Sequence, residues 1–364
     1  MKKVLLILLV LMFVFGLAGC ATVTQERQQY RTEFLGTFDT VVTLIAYAES
    51  EQEFTKIADL VYGTFFELHQ LFDIYNDHDG VVGTKAINDN AGIVPVKVDG
   101  RVIDLILTAK EWHQKTGGAV NIALGPVLAV WHEYRDAGIE DPGAATLPSM
   151  AALQDANGHT DIDKIVIDEE ASTVYIEAGM RLDVGALAKG YATQAAAELL
   201  KQNGFDSVLI SAGGNVKAVG KPEDGERDKW GVGIKDPASD LKYSTSEQNL
   251  IDAAYVADLS VVSSGSYERF FTVDGSDYHH LIDPSTLMPA NYYTGVSVIT
   301  QNATDADVLS TAIFILPPDA AMALVEGMDG VEALWVMADG QVSRSSGMAQ
   351  YLRDMGGATN GKQG

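Results

Sequence analysis

Four short segments gather residue types that can handle a charged substrate. In RLDVGALAKGYA (181–192), Asp183 and a glycine precede a helix expected to begin near Ala186, with Lys189 in its first turn. A helix start offers unpaired N–H groups and the positive end of the helix dipole, so with the Lys189 ammonium it suits a phosphate. The same spacing also fits a plain helix start that Asp183 caps and whose Lys189 is solvated. In SAGGNV (211–216) a glycine pair follows an apolar run, where the backbone either approaches a ligand or simply turns. The stretch SSGSYERFF…DYHHLIDPSTLMP (263–289) collects Ser263, Ser264, Tyr267, Arg269, His279, His280 and Asp283. A histidine between strand and turn can act as a general base at neutral pH; a surface hairpin with an incidental His pair is the plainer reading. In DADVLSTAIF (305–314) and the residues around it, Asp307 and Thr311 stand i, i+4 on one helix face. Their hard oxygens can hold Mg²⁺ while leaving positions for water and phosphate. Alternatively the Asp serves the helix dipole and the Thr is merely half-buried.

These segments need a frame to position them. Residues 34–48 (FLGTFDTVVTLIAYA) are rich in β-branched residues with partial alternation and predict a strand. From 51 to 75, Phe54, Ile57, Leu60, Val61, Phe65, Leu68, Leu71 and Phe72 recur at helical spacing, which predicts a long amphipathic helix ended by the turn-rich NDHDGVVG. Further helices are expected at 101–116, near 120–135, at 187–202, 306–316 and 318–327. KIVID and TVYIE suggest a hairpin at 164–177, after a loop with a short helix at 141–160. Strands are expected at 207–214, 215–219, 230–234, 254–263, 268–273 and, last, 331–337. Helices grouped early with strands interspersed later indicate an α+β fold rather than a regular βαβ array.

Composition narrows the classes. The chain has 364 residues, 47% hydrophobic and 21% charged, which suits a folded globular protein and excludes disorder, collagen and coiled coil. Its net charge of −25 repels phosphate backbones and anionic lipid headgroups, so nucleic acid is not an expected partner. The first residues form a separate unit. Lys2 and Lys3 precede an uncharged, mostly apolar stretch, VLLILLVLMFVFGLA (4–18), which is short for a spanning helix and right for a signal-peptide core. LAGC, ending at Cys20, resembles a bacterial lipobox, which implies cleavage before Cys20 and palmitate-type lipid on it. Cys20 is the single cysteine, so no intrachain disulfide or thiolate zinc site is expected. The expectation is a protein anchored by lipid to the cell membrane and facing the extracytoplasmic side. Its divisions are a signal peptide (1–19), a polar tether (20–33), one domain (34–350) and a flexible tail (351–364). Signatures of P-loop, dinucleotide-fold, zincin and serine-hydrolase sites are absent.

Taken in order, the motifs resemble the ApbE family of bacterial FAD:protein FMN transferases. They are LGT (35–37), LFDIYN, GGAVNIALGPVLAVW (117–131), LDVGALAKGYA, ISAGGNV, SSGSYERFF, YHHLIDPSTLMP and ADVLSTA. The resemblance implies a T-fold-like arrangement of mixed or antiparallel sheets with flanking helices. It implies FAD as substrate, Mg²⁺ as cofactor and transfer of FMN to a Thr hydroxyl of a partner protein, a redox subunit with an FMN-binding domain, with AMP released. By motif position, Asp183, Lys189, Leu281, Leu35 and the segment Ala119, Val120, Asn121 are the expected FAD contacts. Asp307, Thr311 and the Ala186 carbonyl are the expected metal ligands, and His280 the general base. Two positions depart from the family pattern. Asn121 stands where many members have Asp, which bears on a flavin hydrogen bond, and Leu287 replaces the usual Gly of a turn. DMGGATN (354–360) loosely resembles a flavin acceptor motif, which would make Thr359 an acceptor within the chain. Two other functions compete: Mg²⁺-dependent hydrolysis of FAD to FMN and AMP, and non-catalytic FAD binding.

Overall fold

The computed structural model describes residues 26–239 and 249–356. Cys20, the apolar leader before it and Thr359 lie outside the described residues. Among the described residues no helix is long and apolar enough to cross a membrane.

An eight-stranded antiparallel sheet forms the centre, and its spatial order is its chain order. The strands are Gln28–Thr37, Thr40–Ala48, Ser207–Ala212, Asn215–Gly220, Ser260–Gly265, Tyr293–Thr300, Glu332–Met337 and Val342–Arg344. Side chains alternate between two cores, as the period of a strand requires. Val42, Leu44, Ala46, Val208, Ile210, Val262, Val298 and Trp335 face the helical side. Tyr47, Ala218, Val261, Ile299 and Leu334 face the opposite side, which the hairpin Trp230–Lys235/Leu250–Val256 covers. This is the expected α+β architecture.

Three helices cover the first face. Glu51–Phe72 packs on Ala188–Gln202, and that helix packs on Ala303–Ile315. The first starts at Ser50, whose side chain accepts from the Glu53 amide, and buries Phe54, Ile57, Val61, Phe65, Leu68 and Leu71, the stripe read from the sequence. A smaller cluster of Leu124, Val127, Trp131, Leu153, Phe271, Val273 and Leu287 ties helix Gly125–Glu140 to the hairpin Phe270–Val273/Ser276–His279.

Several expectations change. The strand expected at 34–48 is a hairpin that begins at Gln28, so residues 28–33 belong to the sheet and not to the tether. Its two-residue turn, Phe38-Asp39, has φ of 52° and 51°, a type I′ geometry without the Asn-Gly that signals it. The strand expected at 254–263 is two, Leu250–Val256 and Ser260–Gly265, split where Asp258 takes φ 56°. Tyr293–Thr300, deep in the sheet, was not anticipated, and Val342–Arg344 follows the strand expected to be last. The tail docks at its start: Leu352 is fully buried and bridges Ala254.

Candidate active site

A cavity of about 460 Å³ lies among the hairpin tip Phe38–Thr40, residues 119–122, residues 183–189, His280–Ile282 and helix Ala303–Ile315. Ala119, Val120, Asn121, Asp183, Ala186 and Lys189 line it from one set of elements. His280, Leu281, Asp307 and Thr311 line it from the other. Leu35 does not: it is 70% exposed on the hairpin, and the cavity is touched instead by the tip three residues on. The expected Leu35 contact is therefore withdrawn.

Asp307 is the most enclosed charge of the cavity, 4% exposed. Its Oδ2 accepts from the Gly190 amide at 2.8 Å and its Oδ1 from Asn215 Nδ2 at 3.2 Å, while Lys189 Nζ stands 3.9 Å from Oδ1. Burial raises its pKa, and Lys189 opposes that rise. The dipole role proposed as an alternative falls to other residues. Asn302 caps the helix through Thr304 and Asp305, and Asp305 accepts from Trp112 Nε1 at 2.9 Å. The two helices meet at Gly190, where a Cβ would lie 2.5 Å from the Ala303 carbonyl oxygen and 2.6 Å from Asp307 Cβ. Only glycine lets the helix start come this close to the carboxylate.

That helix, Ala188–Gln202, has no side-chain cap. Asp183 accepts from the Gly185 amide at 3.0 Å and shapes the turn before it, so Asp183 does not act as its cap. The uncapped first turn, with Lys189 in it, borders the cavity and suits an anion.

The two histidines separate. His279 Nε2 donates to the Ala290 carbonyl at 2.8 Å and its Nδ1 accepts from the Leu281 amide at 3.2 Å, so both nitrogens are engaged in holding the turn. His280 faces the cavity, and among the described residues its Nδ1 is buried without a partner. Burial, reinforced by Arg269, His279 and Lys189, pushes its pKa down to about 3. The imidazole is neutral at physiological pH, in its basic form though a weaker base than a solvated histidine.

Both departures from the family pattern have local partners. Asn121 Oδ1 accepts from the Ala123 amide at 2.8 Å and Nδ2 donates to the Thr160 carbonyl at 2.8 Å. An aspartate could make the first bond but would turn an acceptor toward Thr160. Leu287 sits at φ 62°, where glycine is at ease, yet its side chain is 5% exposed and its carbonyl accepts from Trp131 Nε1 at 2.9 Å. More than a turn is at stake. Restoring glycine relieves left-handed strain of about 1–2 kcal/mol and forfeits burial and packing of about 2–5 kcal/mol. Leu287→Gly is expected to lower the melting temperature by a few degrees; an unchanged or higher value would show that strain dominates.

His69, Asp73 and His78 also approach one another within metal-ligand reach. Part of their hydrogen-bonding capacity is already in use. Asp73 accepts from the amides of Tyr75 and Asn76, from Asn76 Nδ2 and from His78 Nε2, and His69 Nδ1 accepts from the Phe38 amide at 3.3 Å. The cluster closes the end of the first helix against the hairpin tip.

Residues 38–335 match the ApbE family. Over 281 residues the chain is 36% identical to the FAD:protein FMN transferase of Treponema pallidum, covering 74% of each chain. The chain belongs to the ApbE family. A second transferase of that name, from Klebsiella pneumoniae, is 32% identical over 262 residues, 71% of this chain and 76% of the relative. The crystal structure of the ApbE protein of Thermotoga maritima superposes with a TM-score of 0.77 at 29% identity, covering 90% of this chain and 100% of that one. The flavin transferase ApbE of Vibrio cholerae shares the fold, with a TM-score of 0.73 at 20% identity over 90% of this chain and 100% of its own.

Against this ApbE frame, sequence reasoning named the segment SAGGNV but not the residue in it that matters. Asn215 is 1% exposed, lines the cavity and holds Asp307. The signal available was a polar side chain placed directly after a glycine pair at a strand start.

Proposed function

We propose that this chain transfers FMN from FAD to a threonine hydroxyl of a partner protein and releases AMP, with Mg²⁺ at Asp307. The observation that carries the reading is the meeting, in one cavity, of a buried carboxylate, a lysine at an uncapped helix start and a neutral histidine. The donor set fits Mg²⁺. Among the described residues, Asp307 is buried with its nearest cationic atom at 3.9 Å, Thr311 shares the cavity one turn on, and Asn215 Oδ1 is a buried oxygen without a partner. Asp307, Thr311 and the Ala186 carbonyl would hold the ion. When bound, it supplies neutralisation of the pyrophosphate charge.

The chain's own residues do the rest. Lys189 and the helix start attract the pyrophosphate and fix its orientation. His280 takes the proton of the incoming hydroxyl as its oxygen bonds to the FMN-side phosphorus. The bond from that phosphorus to the bridging oxygen breaks, and AMP departs with the electron pair. Residues 119–121 and Leu281 form part of the flavin wall, and Asp183 shapes the turn that leads to Lys189.

Mixing the protein with FAD, Mg²⁺ and an acceptor domain, then weighing the acceptor, tests the reading. A gain of one FMN supports transfer. Free FMN and AMP without a gain mark a hydrolase, and unchanged FAD a binder. The lipobox at Cys20 supports a lipid-anchored, extracytoplasmic enzyme. The mass of the mature amino terminus tests that part, and an unlipidated chain that keeps its leader would refute it.

A further inference from the structure

The amide of Asn215 is placed with unusual economy. Its residue opens strand Asn215–Gly220 and pairs with Ala212 on one side and Val262 on the other, so the backbone is fixed from both flanks. Gly213, two residues before it, has φ 52°, and a Cβ there would lie 2.2 Å from Thr40 Oγ1, which locks the turn against the hairpin tip. From this rigid mount Nδ2 donates to Asp307 Oδ1 at 3.2 Å. The other end, Oδ1, is buried and has no partner among the described residues. A flipped amide would set its oxygen against the carboxylate, two acceptors facing each other, so the Asp307 contact fixes which end is free.

A buried acceptor left unpaired carries its full desolvation penalty. Its residue lines the cavity shared by Asp307, Thr311, Ala186 and Lys189. A neutral amide oxygen beside a carboxylate and a hydroxyl is the donor chemistry of a hard divalent cation. We propose that Asn215 is a further oxygen ligand of the cation site, with Oδ1 facing the ion while its NH₂ group holds Asp307. The inference rests on the reading of Asp307 as a metal ligand, and its test separates the two.

Binding of Mg²⁺ alone is measured by calorimetry on the full chain, without FAD or acceptor, for wild type, Asp307→Ala, Asn215→Leu and Asn215→Asp, with thermal unfolding as the check on folding. Asn215→Leu is expected to weaken Mg²⁺ binding about ten-fold or more. Asn215→Asp loses the donor to Asp307 but keeps an oxygen for the ion, and is expected to retain or exceed wild-type affinity. Equal affinity in Asn215→Leu and wild type overturns the inference. So does equal weakening in the Leu and Asp variants, which would mean that the amide acts only by holding Asp307. If Asp307→Ala binds Mg²⁺ as wild type does, the metal reading fails with it. Should a variant prove unfolded, Asn215→Ser, which keeps a shorter oxygen, replaces it; intermediate affinity supports the ligand role, and affinity equal to wild type refutes it.

Discussion

Asp307→Asn is expected to abolish turnover, by about 10³-fold or more, while leaving the metal-free protein as stable as before or more so. The two effects have one cause. Burial raises the Asp307 pKa, and the facing ammonium, at 3.9 Å, only partly opposes it. A carboxyl whose folded pKa exceeds its unfolded value stabilises fully below the unfolded pKa. That contribution is lost as pH rises through the folded value. Above that window the carboxyl is thus a burden on the metal-free fold. Asparagine keeps the shape and an acceptor for the Gly190 amide and removes the charge. Mg²⁺ should raise the melting temperature of wild type and not that of the variant. Rates of AMP release across a Mg²⁺ titration check the catalytic half, and normal Mg²⁺-dependent turnover in the variant would remove Asp307 from the metal site.

His280→Ala is expected to bind FAD normally and to slow transfer by about 10²-fold or more. Among the described residues the imidazole makes no hydrogen bond through Nδ1, so its removal orphans no partner there. Because burial and the neighbouring cations hold its pKa near 3, it is already in the basic form across the physiological range. The pH profile of kcat/KM should therefore lack a limb near pH 6.5, the value of a solvated histidine. The low folded pKa also has a stability cost with a definite sign. The unfolded chain takes up a proton as pH falls below about 6.5 while the folded one does not, so acid weakens the fold over that window. His280→Ala should flatten this dependence. A variant with unchanged transfer rates at every pH would show that the proton goes elsewhere.

Spacing alone left the pair Asp307 and Thr311, and Lys189, open between a ligand site and an ordinary helix start; the family resemblance singled them out, and the fold brings them to one cavity. The hairpin turn at Phe38-Asp39 was hidden, since its residues take positive φ without the glycine or asparagine that usually announces it. The Leu35 contact, carried over from the LGT motif, falls three residues short of the tip that lines the cavity. Tyr293–Thr300 escaped because it is covered on both faces and interrupted by Gly295 and Ser297, which removes the alternation that marks a half-exposed strand. Ser297 is satisfied by Ser263 at 2.7 Å, a partner that only the register brings near. Asn215 was unreadable for a related reason: its role lies in an oxygen left without a partner, and no one-dimensional pattern records a missing bond.

The sheet's order carries one more consequence. Neighbouring strands are neighbours in sequence, but between Ala48 and Ser207 the chain leaves the sheet, and most of one cavity wall comes from that excursion. Among the described residues, pairing Thr40–Ala48 with Ser207–Ala212 closes the longest connection between neighbouring strands of this sheet, and the opposite wall, with Asp307, comes later still. A chain emerging from the ribosome does not own this cavity until nearly all of it has been made. Under the proposed function, FAD would report completed folding rather than serve as a template for it.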